Sequence, residues 1–142
     1  MKKIFKLFKI KKIFFFPPKK TDIIIFDRTN SHIFKPYIKN TKYDICDTKL
    51  ESLNIFILVV AVYKYKFKFN FFYYLIEYLK YTNCKTIITF IDNNINFYKI
   101  KNYIKNIRTI SIQNGLRTEF FFNDVNKGNL DLVIKNNIWM IK

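Results

Sequence analysis

The sequence is poor in the residue from which nucleotide-binding loops are built. It contains only two glycines, Gly115 and Gly128, among 142 residues. Neither a phosphate-binding GxxxxGK[ST] loop nor a GxGxxG dinucleotide-binding turn can form from these two positions. A GxSxG nucleophile elbow is also missing from the sequence. These absences exclude the nucleotide-binding and hydrolase families that are recognised by those motifs.

Residues that bind metals are equally scarce. Cys46 and Cys84 stand alone and His32 is the only histidine, so the paired spacing of a zinc site is missing. We therefore predict no metal and no cofactor, and we expect both cysteines to be reduced thiols. His32 follows a predicted strand, where a histidine could act as a general base. A lone histidine in a loop is more often an ordinary surface residue.

Long apolar runs are missing too. A membrane-spanning helix needs roughly 18 to 20 consecutive apolar residues, and the longest run here, 55–63, is far shorter. Lysines interrupt every apolar run in residues 1–20, and no small-residue cleavage site follows, so this segment is not a secretory signal. The expected location is the cytoplasm, or the inner face of the cytoplasmic membrane for a peripheral protein.

Acidic residues are few, which makes the chain strongly basic. Ten acidic residues stand against 26 lysines and arginines, for a formal net charge of +16. Residues 1–20 carry eight of the lysines and no acid, and several of these lysines recur at helical spacing: Lys2, Lys6, Lys9 and Lys12. We predict a basic amphipathic leader helix over residues 1–20. It could lie on an anionic membrane surface or pack its phenylalanines on the following domain.

The most regular part of the chain is a strand-helix-strand unit in residues 85–117. Two β-branched, apolar runs, 86–91 and 109–112, are typical of buried strands. Between them Phe97, Ile100 and Ile104 recur at the spacing of an amphipathic helix, which Asn93 or Asn94 could cap.

Further elements are predicted on both sides of this unit. We expect strands at 22–27, 43–47 and 130–134, a helix at 70–81, and a helix from Leu50 to about Lys66. Thr48 and Glu51 have the spacing of a capping box for that last helix, although Val59 to Val62 could instead form a strand. Alternating strands and helices predict a single α/β domain, residues 21–142, with a Rossmann-like, mainly parallel sheet and flanking helices.

Polar residues follow the predicted strands, and the carboxyl ends of parallel strands meet at one edge of a sheet, where open α/β folds bind ligands. We therefore expect a polar cluster there, made of Asp27, Arg28, Asp92, Asn93, Asn94, Gln113, Asn114 and Arg117. Gly115 could turn the chain so that successive N–H groups face an anion. Asp-Asn-Asn and Asn-Gly are also ordinary turn formers and helix caps.

Two segments carry a family resemblance: DIIIFDRTN, residues 22–30, and TFIDNNINFYKIKNYIKNIRTISIQNGLR, residues 89–117. They resemble the N-terminal half of bacterial surface carbohydrate biosynthesis proteins, glycosyltransferases with two Rossmann-like domains (GT-B). The likeness spans about residues 21–124 and is most specific at 90–94 and 113–117. It implies synthesis of surface polysaccharide or lipopolysaccharide from nucleotide-activated sugars.

The resemblance also implies roles for individual residues. Asp92 would be the catalytic base that deprotonates an acceptor hydroxyl. A sugar or a phosphate would bind at the neighbouring positions Asn93, Asn94, Gln113, Asn114, Gly115, Arg117, Asp27 and Arg28. Because the resembled family continues into a second domain that holds most donor contacts, we expect this domain to need a separate chain for transfer.

Two other functions remain open. The chain could be a truncated or accessory domain without catalytic activity. It could also be a basic nucleic-acid-binding module, since aromatic residues and lysines alternate from Tyr63 to Phe69. The same alternation is typical of a half-exposed strand or of a helix end.

Overall fold

The structure is a computed structural model. It describes residues 10–29, 31–90, 94–112, 132–135 and 138–141, and for the last two segments the description is of the backbone. The strands are β1 (Lys12–Phe14), β2 (Ile23–Phe26), β3 (Tyr43–Cys46), β4 (Ser52–Asn54), β5 (Thr86–Thr89), β6 (Arg108–Ile112), β7 (Leu132–Lys135) and β8 (Ile138–Ile141). The α-helices are α1 (Ser31–Ile38), α2 (Ile55–Tyr65), α3 (Phe71–Thr82) and α4 (Ile95–Lys99), with short 3-10 turns at Lys66–Lys68 and Ile100–Asn102.

Six strands form one sheet in the order β3-β2-β5-β6-β7-β8. All neighbours in it are parallel except β7 and β8, which are antiparallel. The chain moves outward from β2 to β3, then crosses to the other side of β2 and continues from β5. This doubly wound order confirms the predicted α/β fold with a Rossmann-like, mainly parallel sheet.

Helices cover both faces of this sheet, so its central strands are apolar on both sides. On one face Ile25 packs with Phe34 and Ile38 of α1. On the other face Ile24, Phe26 and Ile87 belong to a larger cluster with residues of α2, α3 and the α4 region, including Ile57, Leu75, Leu79, Phe97 and Ile100. The reversal of direction at β2 is what places α1 opposite the other helices.

Asparagine side chains begin three of the helices. Asn54 accepts a hydrogen bond from the backbone N–H of Ile57 at the start of α2, and Asn70 accepts one from Tyr73 at the start of α3. Asn94 caps α4 through the N–H of Asn96. Each cap satisfies an N–H group that has no partner inside its helix.

The predicted leader helix is wrong for the described residues of that segment. Lys12–Phe14 form β1, which pairs in parallel with β4. Backbone hydrogen bonds from Lys11 and Lys12 to the carbonyl of Glu51 start this pairing. Proline disfavours helical geometry in the residue before it, so Phe16 before Pro17-Pro18 favours an extended chain. The rest of the predicted helix, residues 1–9, lies outside the described residues.

The predicted helix from Leu50 is wrong at its start. Residues 52–54 form β4, and α2 begins only at Ile55. Thr48 and Glu51 do not form a capping box, because Asn54 is the cap and the Thr48 hydroxyl donates to Asp27 instead. The valines of this region are helical, so the alternative strand at 59–62 does not form.

Other elements agree with the sequence or were missed by it. The helix predicted at 70–81 is confirmed at Phe71–Thr82, and the strands predicted in the six-stranded sheet are confirmed. Helix α1 was not predicted. It begins among the polar residues that follow β2, and it contains Pro36, a residue that is unfavourable inside a helix. His32 is therefore an exposed residue in the first turn of a helix and not a loop residue.

A buried carboxylate joins α2 to α3. One oxygen of Glu77, Oε1, accepts hydrogen bonds from Lys64 Nζ at 3.1 Å, the Tyr65 hydroxyl at 2.8 Å and Lys80 Nζ at 3.2 Å. Burial tends to raise the pKa of Glu77, but the hydrogen bonds from Tyr65, Lys64 and Lys80 outweigh it, so the pKa is lowered. Glu77 is therefore charged and paired at neutral pH.

We expect Glu77→Gln to lower the free energy of unfolding by about 1.5–3 kcal/mol, the usual contribution of buried hydrogen bonds to a charged group. Urea unfolding followed by circular dichroism measures this change. The matched control is Glu51→Gln, which removes an exposed ion pair with Lys11 and should cost less than about 1 kcal/mol. Equal losses in the two variants would contradict the role assigned to Glu77.

The same cluster predicts a pH dependence. Because the folded-state pKa of Glu77 lies below its unfolded value, its contribution is fully present above the unfolded pKa and is lost as the pH falls through the folded pKa. The difference in unfolding free energy between the wild type and Glu77→Gln should therefore shrink steadily in acid. A difference that stays constant from neutral pH to strong acid would contradict this.

Candidate functional site

The candidate site lies at the carboxyl edge of the main sheet, beside the point where the strand order reverses between β2 and β5. Open α/β sheets bind ligands outside the carboxyl ends of strands at such a point. Residues 27–29 leave β2 here and residues 47–49 leave the neighbouring β3. Their side chains form a continuous polar cluster, which we call the edge cluster: Asp27, Arg28, Thr29, Asp47, Thr48 and Lys49.

Asp27 holds the two loops of the edge cluster together. Its carboxylate accepts hydrogen bonds from the backbone N–H of Thr29, at 2.7 Å, and from the hydroxyl of Thr48. Its own N–H donates to the carbonyl of Cys46 at 2.9 Å. The side chain is buried, and its backbone has a φ of 86°, a region that costs a non-glycine residue about 1–3 kcal/mol. The surrounding hydrogen bonds keep this conformation in place.

Asp47 plays a similar part in the loop after β3. Its Oδ1 accepts from the N–H of Lys49 at 2.9 Å, and its Oδ2 accepts from the N–H and the hydroxyl of Ser52 at 3.0 and 3.2 Å. Arg28 Nε lies 3.9 Å from the same Oδ2. Both carboxylates of the edge cluster are therefore occupied by the protein itself, and neither is placed to act as a base.

The cations of the edge cluster are on its outer surface. The Arg28 side chain is 46% exposed, whereas that of Asp47 is 3% exposed. Lys49 is exposed and donates to the Thr29 hydroxyl at 2.7 Å. A ligand approaching this edge would meet a guanidinium and an ammonium group first, which suits phosphate or hydroxyl oxygens.

Of the predicted site residues, Asp27 and Arg28 are brought together in the edge cluster. Asn94 serves as the cap of α4, in agreement with the helix-cap interpretation. Asp92, Asn93, Gln113, Asn114, Gly115 and Arg117 lie outside the described residues. Sequence reasoning missed Asp47, Thr48 and Lys49, although they directly follow a predicted strand and the strand-end rule would have found them.

Buried hydroxyl groups continue the polar surface beneath this edge. Thr89 at the end of β5 donates to the carbonyl of Phe26 at 3.1 Å. Ser111, its register partner on β6, is fully buried, and its hydroxyl has no hydrogen-bond partner among the residues that the structure describes. Buried hydroxyls thus lie close to the carboxyl ends of β5 and β6.

Thiol and metal chemistry have little support within the described ranges. Burial, with the nearby carboxylates of Asp44 and Asp47, raises the pKa of Cys46 well above its ordinary value, so the thiol stays protonated and is a poor nucleophile. The same part of the chain contains no group of three or more His, Cys, Asp and Glu side chains that could hold a metal ion. None of its helices has the length and hydropathy of a membrane span.

Comparisons of the chain with protein-family models, with curated proteins and with solved structures found no match. Function must therefore be argued from the residues, the fold and the edge cluster.

We expect both cysteines to be unreactive in the folded protein. Cys46 is 2% and Cys84 is 7% exposed, and burial raises the pKa of each thiol. A chromogenic disulfide reagent at pH 7 should label neither residue until urea is added, whereas Thr41→Cys, at an exposed position, should add one fast-reacting thiol. Rapid labelling of the native wild type would contradict this structure around β3.

Proposed function

We propose that this chain is the acceptor-side, sugar-binding domain of a glycosyltransferase for surface polysaccharide or lipopolysaccharide. The observation that carries the proposal is the position of the edge cluster, at the carboxyl edge of a doubly wound sheet beside its switch point. The segments that resemble the glycosyltransferase family, residues 22–30 and 89–117, contain the loop after β2 and the loop after β5. The resemblance and the fold thus point to the same edge.

The chemistry of the edge cluster supports a phosphorylated or polyhydroxylated ligand. Arg28 and Lys49 are the exposed cations there, and an arginine fork matches phosphate oxygens well. Because both oxygens of Asp27 and of Asp47 already accept hydrogen bonds within the protein, we assign the base role to Asp92, which follows β5 in the sequence. Asn93, Gln113, Asn114, Gly115 and Arg117 are proposed to bind sugar hydroxyls or phosphate.

The proposal includes a partner and a location. A second Rossmann-like domain would supply most of the nucleotide-sugar contacts across a cleft at this edge. The site of assembly would be the cytoplasmic face of the membrane, where the basic residues 1–20 could contact anionic lipid.

Nucleic acid binding is the second candidate, because two aromatic rings of the alternating segment are fully presented. Tyr63 is 80% exposed and Phe67 is fully exposed. Lys66 and Lys68 flank Phe67 in the chain. Other residues of the segment have structural roles: Tyr65 stacks on Tyr73 with ring centroids 4.1 Å apart, and both Lys64 and Tyr65 bind Glu77. Only part of the alternation is thus available for bases.

Isothermal titration with a panel of nucleotide-sugars and sugar phosphates tests the first proposal. We expect saturable binding of at least one compound, and the double variant Arg28→Ala/Lys49→Ala should weaken it at least about tenfold, because each lost hydrogen bond to a charged group is worth about 1.5–3 kcal/mol. The control variant Lys35→Ala/Lys39→Ala removes two exposed charges near α1 and should bind normally.

Two outcomes would contradict the first proposal. One is the absence of binding to every compound. The other is an equal loss of affinity in the two double variants, which would show that net charge and not the edge cluster binds the ligand. Single-stranded RNA at two salt concentrations serves as the arm for the second candidate, since binding through phosphates falls steeply with added salt.

A further inference from the structure

A groove of about 900 Å³ runs along the outer edge of β3 and reaches the edge cluster at Arg28 and Asp47. Its lining comes from four parts of the chain: the extended arm of residues 13–21, residues 41–47 of the edge strand, residues of β4 and α3 that include Leu53, Tyr74 and Tyr78, and Arg28 of the edge cluster. This groove is the space left between the two-stranded sheet of β1 and β4 and the edge of the six-stranded sheet.

The arm gives the groove an apolar wall that is partly open to solvent. Phe14, Phe15 and Phe16 line it and are 52%, 69% and 83% exposed. Two contacts hold the wall against the domain: Phe14 pairs with Asn54 in the β1 and β4 ladder, and the carbonyl of Phe16 accepts a hydrogen bond from Asn54 Nδ2 at 2.8 Å. Three consecutive exposed phenylalanines on one wall suit an apolar ligand.

Lysines line the groove where the end of the arm meets residue 42. Lys19, Lys20 and Lys42 line it, and a hydrogen bond from the N–H of Asp22 to the carbonyl of Lys42, at 2.8 Å, brings the two chain segments together. No carboxylate of the described residues pairs with these lysines. The hydroxyl of Thr21, next to Lys20, is buried without a hydrogen-bond partner in the same part of the structure.

The acids of the groove are already occupied. Asp44 accepts from the N–H of Ile45 at 2.7 Å and from the Tyr78 hydroxyl at 2.8 Å, and Asp47 is bound within the edge cluster. The bond from Ile45 also uses an edge-strand N–H group that an added peptide strand would need as a donor. A peptide strand is therefore a poorer fit to this groove than an anion.

We propose that the groove binds a single-chain anionic lipid of the fatty-acid class. The carboxylate lies at Lys20 and Lys42, and the hydrocarbon chain runs along β3 between the tyrosines and the phenylalanine wall. An apolar wall alone would bind a neutral hydrocarbon, and lysines alone would bind a free anion. Because the groove has both features, it suits a ligand with a hydrocarbon chain and an anionic head group. The groove adjoins the proposed sugar site and shares Arg28 and Asp47 with it, but lipid binding at Lys20, Lys42 and the phenylalanine wall does not depend on sugar binding.

Titration calorimetry with fatty acids below their micelle concentrations tests this proposal. We expect one decanoate per chain, with affinity rising roughly tenfold for every two methylenes added from hexanoate through octanoate to decanoate, as expected for burial of the chain. Acetate, the head group alone, and decanol, the neutral chain, should each bind at least about tenfold more weakly than decanoate.

Matched variants separate the groove from the general positive charge. Lys20→Ala/Lys42→Ala should weaken decanoate binding at least about tenfold, while Lys66→Ala/Lys68→Ala, which removes the same charge from the exposed 3-10 turn, should leave it unchanged. Phe16→Ser shortens the apolar wall and should reduce the dependence on chain length. All of these side chains are exposed, so folding should be preserved, and circular dichroism checks it.

Several results would overturn the proposal. Failure of decanoate to bind would do so directly. Equal affinity for acetate would indicate a free-anion site, and equal affinity for decanol would indicate an apolar cleft without a head-group site. Equal losses in the two lysine variants, or binding that begins only when micelles form, would indicate association with charged surfaces in place of groove binding.

Discussion

Burial of three consecutive residues of the central strand β2 is the constraint on which the rest of the fold depends. Ile24, Ile25 and Phe26 are each at most 1% exposed, and both edges of the strand are paired in parallel, with β3 and with β5. A strand buried in this way needs helices on both faces, which α1 provides on one side and α2 to α4 on the other. Parallel pairing then requires long crossovers, and these carry the chain repeatedly to one edge.

Polar residues at that edge fall into two groups: some satisfy backbone groups of the protein, and others are exposed and could contact a ligand. Asp27 and Asp47 satisfy backbone N–H groups of their own loops, and the three asparagine caps do the same for helices. Such residues keep the loops and helix starts in shape, so they are not available for chemistry. What the described residues of the edge cluster leave exposed for a ligand is mostly cationic, because Arg28 and Lys49 face solvent whereas Asp27 and Asp47 are buried.

Much of the fold could be predicted from the sequence, since β2 is apolar on both faces, β5 and β6 are rich in β-branched residues, and the α3 pattern repeats at helical spacing. The errors concern residues whose partners are distant in sequence. Lys12–Phe14 became a strand because it meets residues 52–54, and Thr48 failed as a capping residue because its hydroxyl meets Asp27. In the site, Asp27 and Arg28 were predicted because they lie at the carboxyl end of a strongly apolar strand. Asp47 and Lys49 come after β3, which is short and contains the polar residue Asp44, so its sequence pattern is weak.

The small sheet of β1 and β4 has a consequence for the groove beside it. Only three residue pairs join these strands, and they close a loop of some forty residues, since Lys11 and Glu51 are separated by 40 positions. We expect this short pairing to open at a lower free energy than the central sheet, because local unfolding begins in segments with few contacts. Detachment of the arm would remove the phenylalanine wall and would also break the hydrogen bond from Asn54 Nδ2 to the carbonyl of Phe16. The groove exists only while the arm is attached. A ligand that binds the groove therefore also stabilises the pairing of β1 with β4.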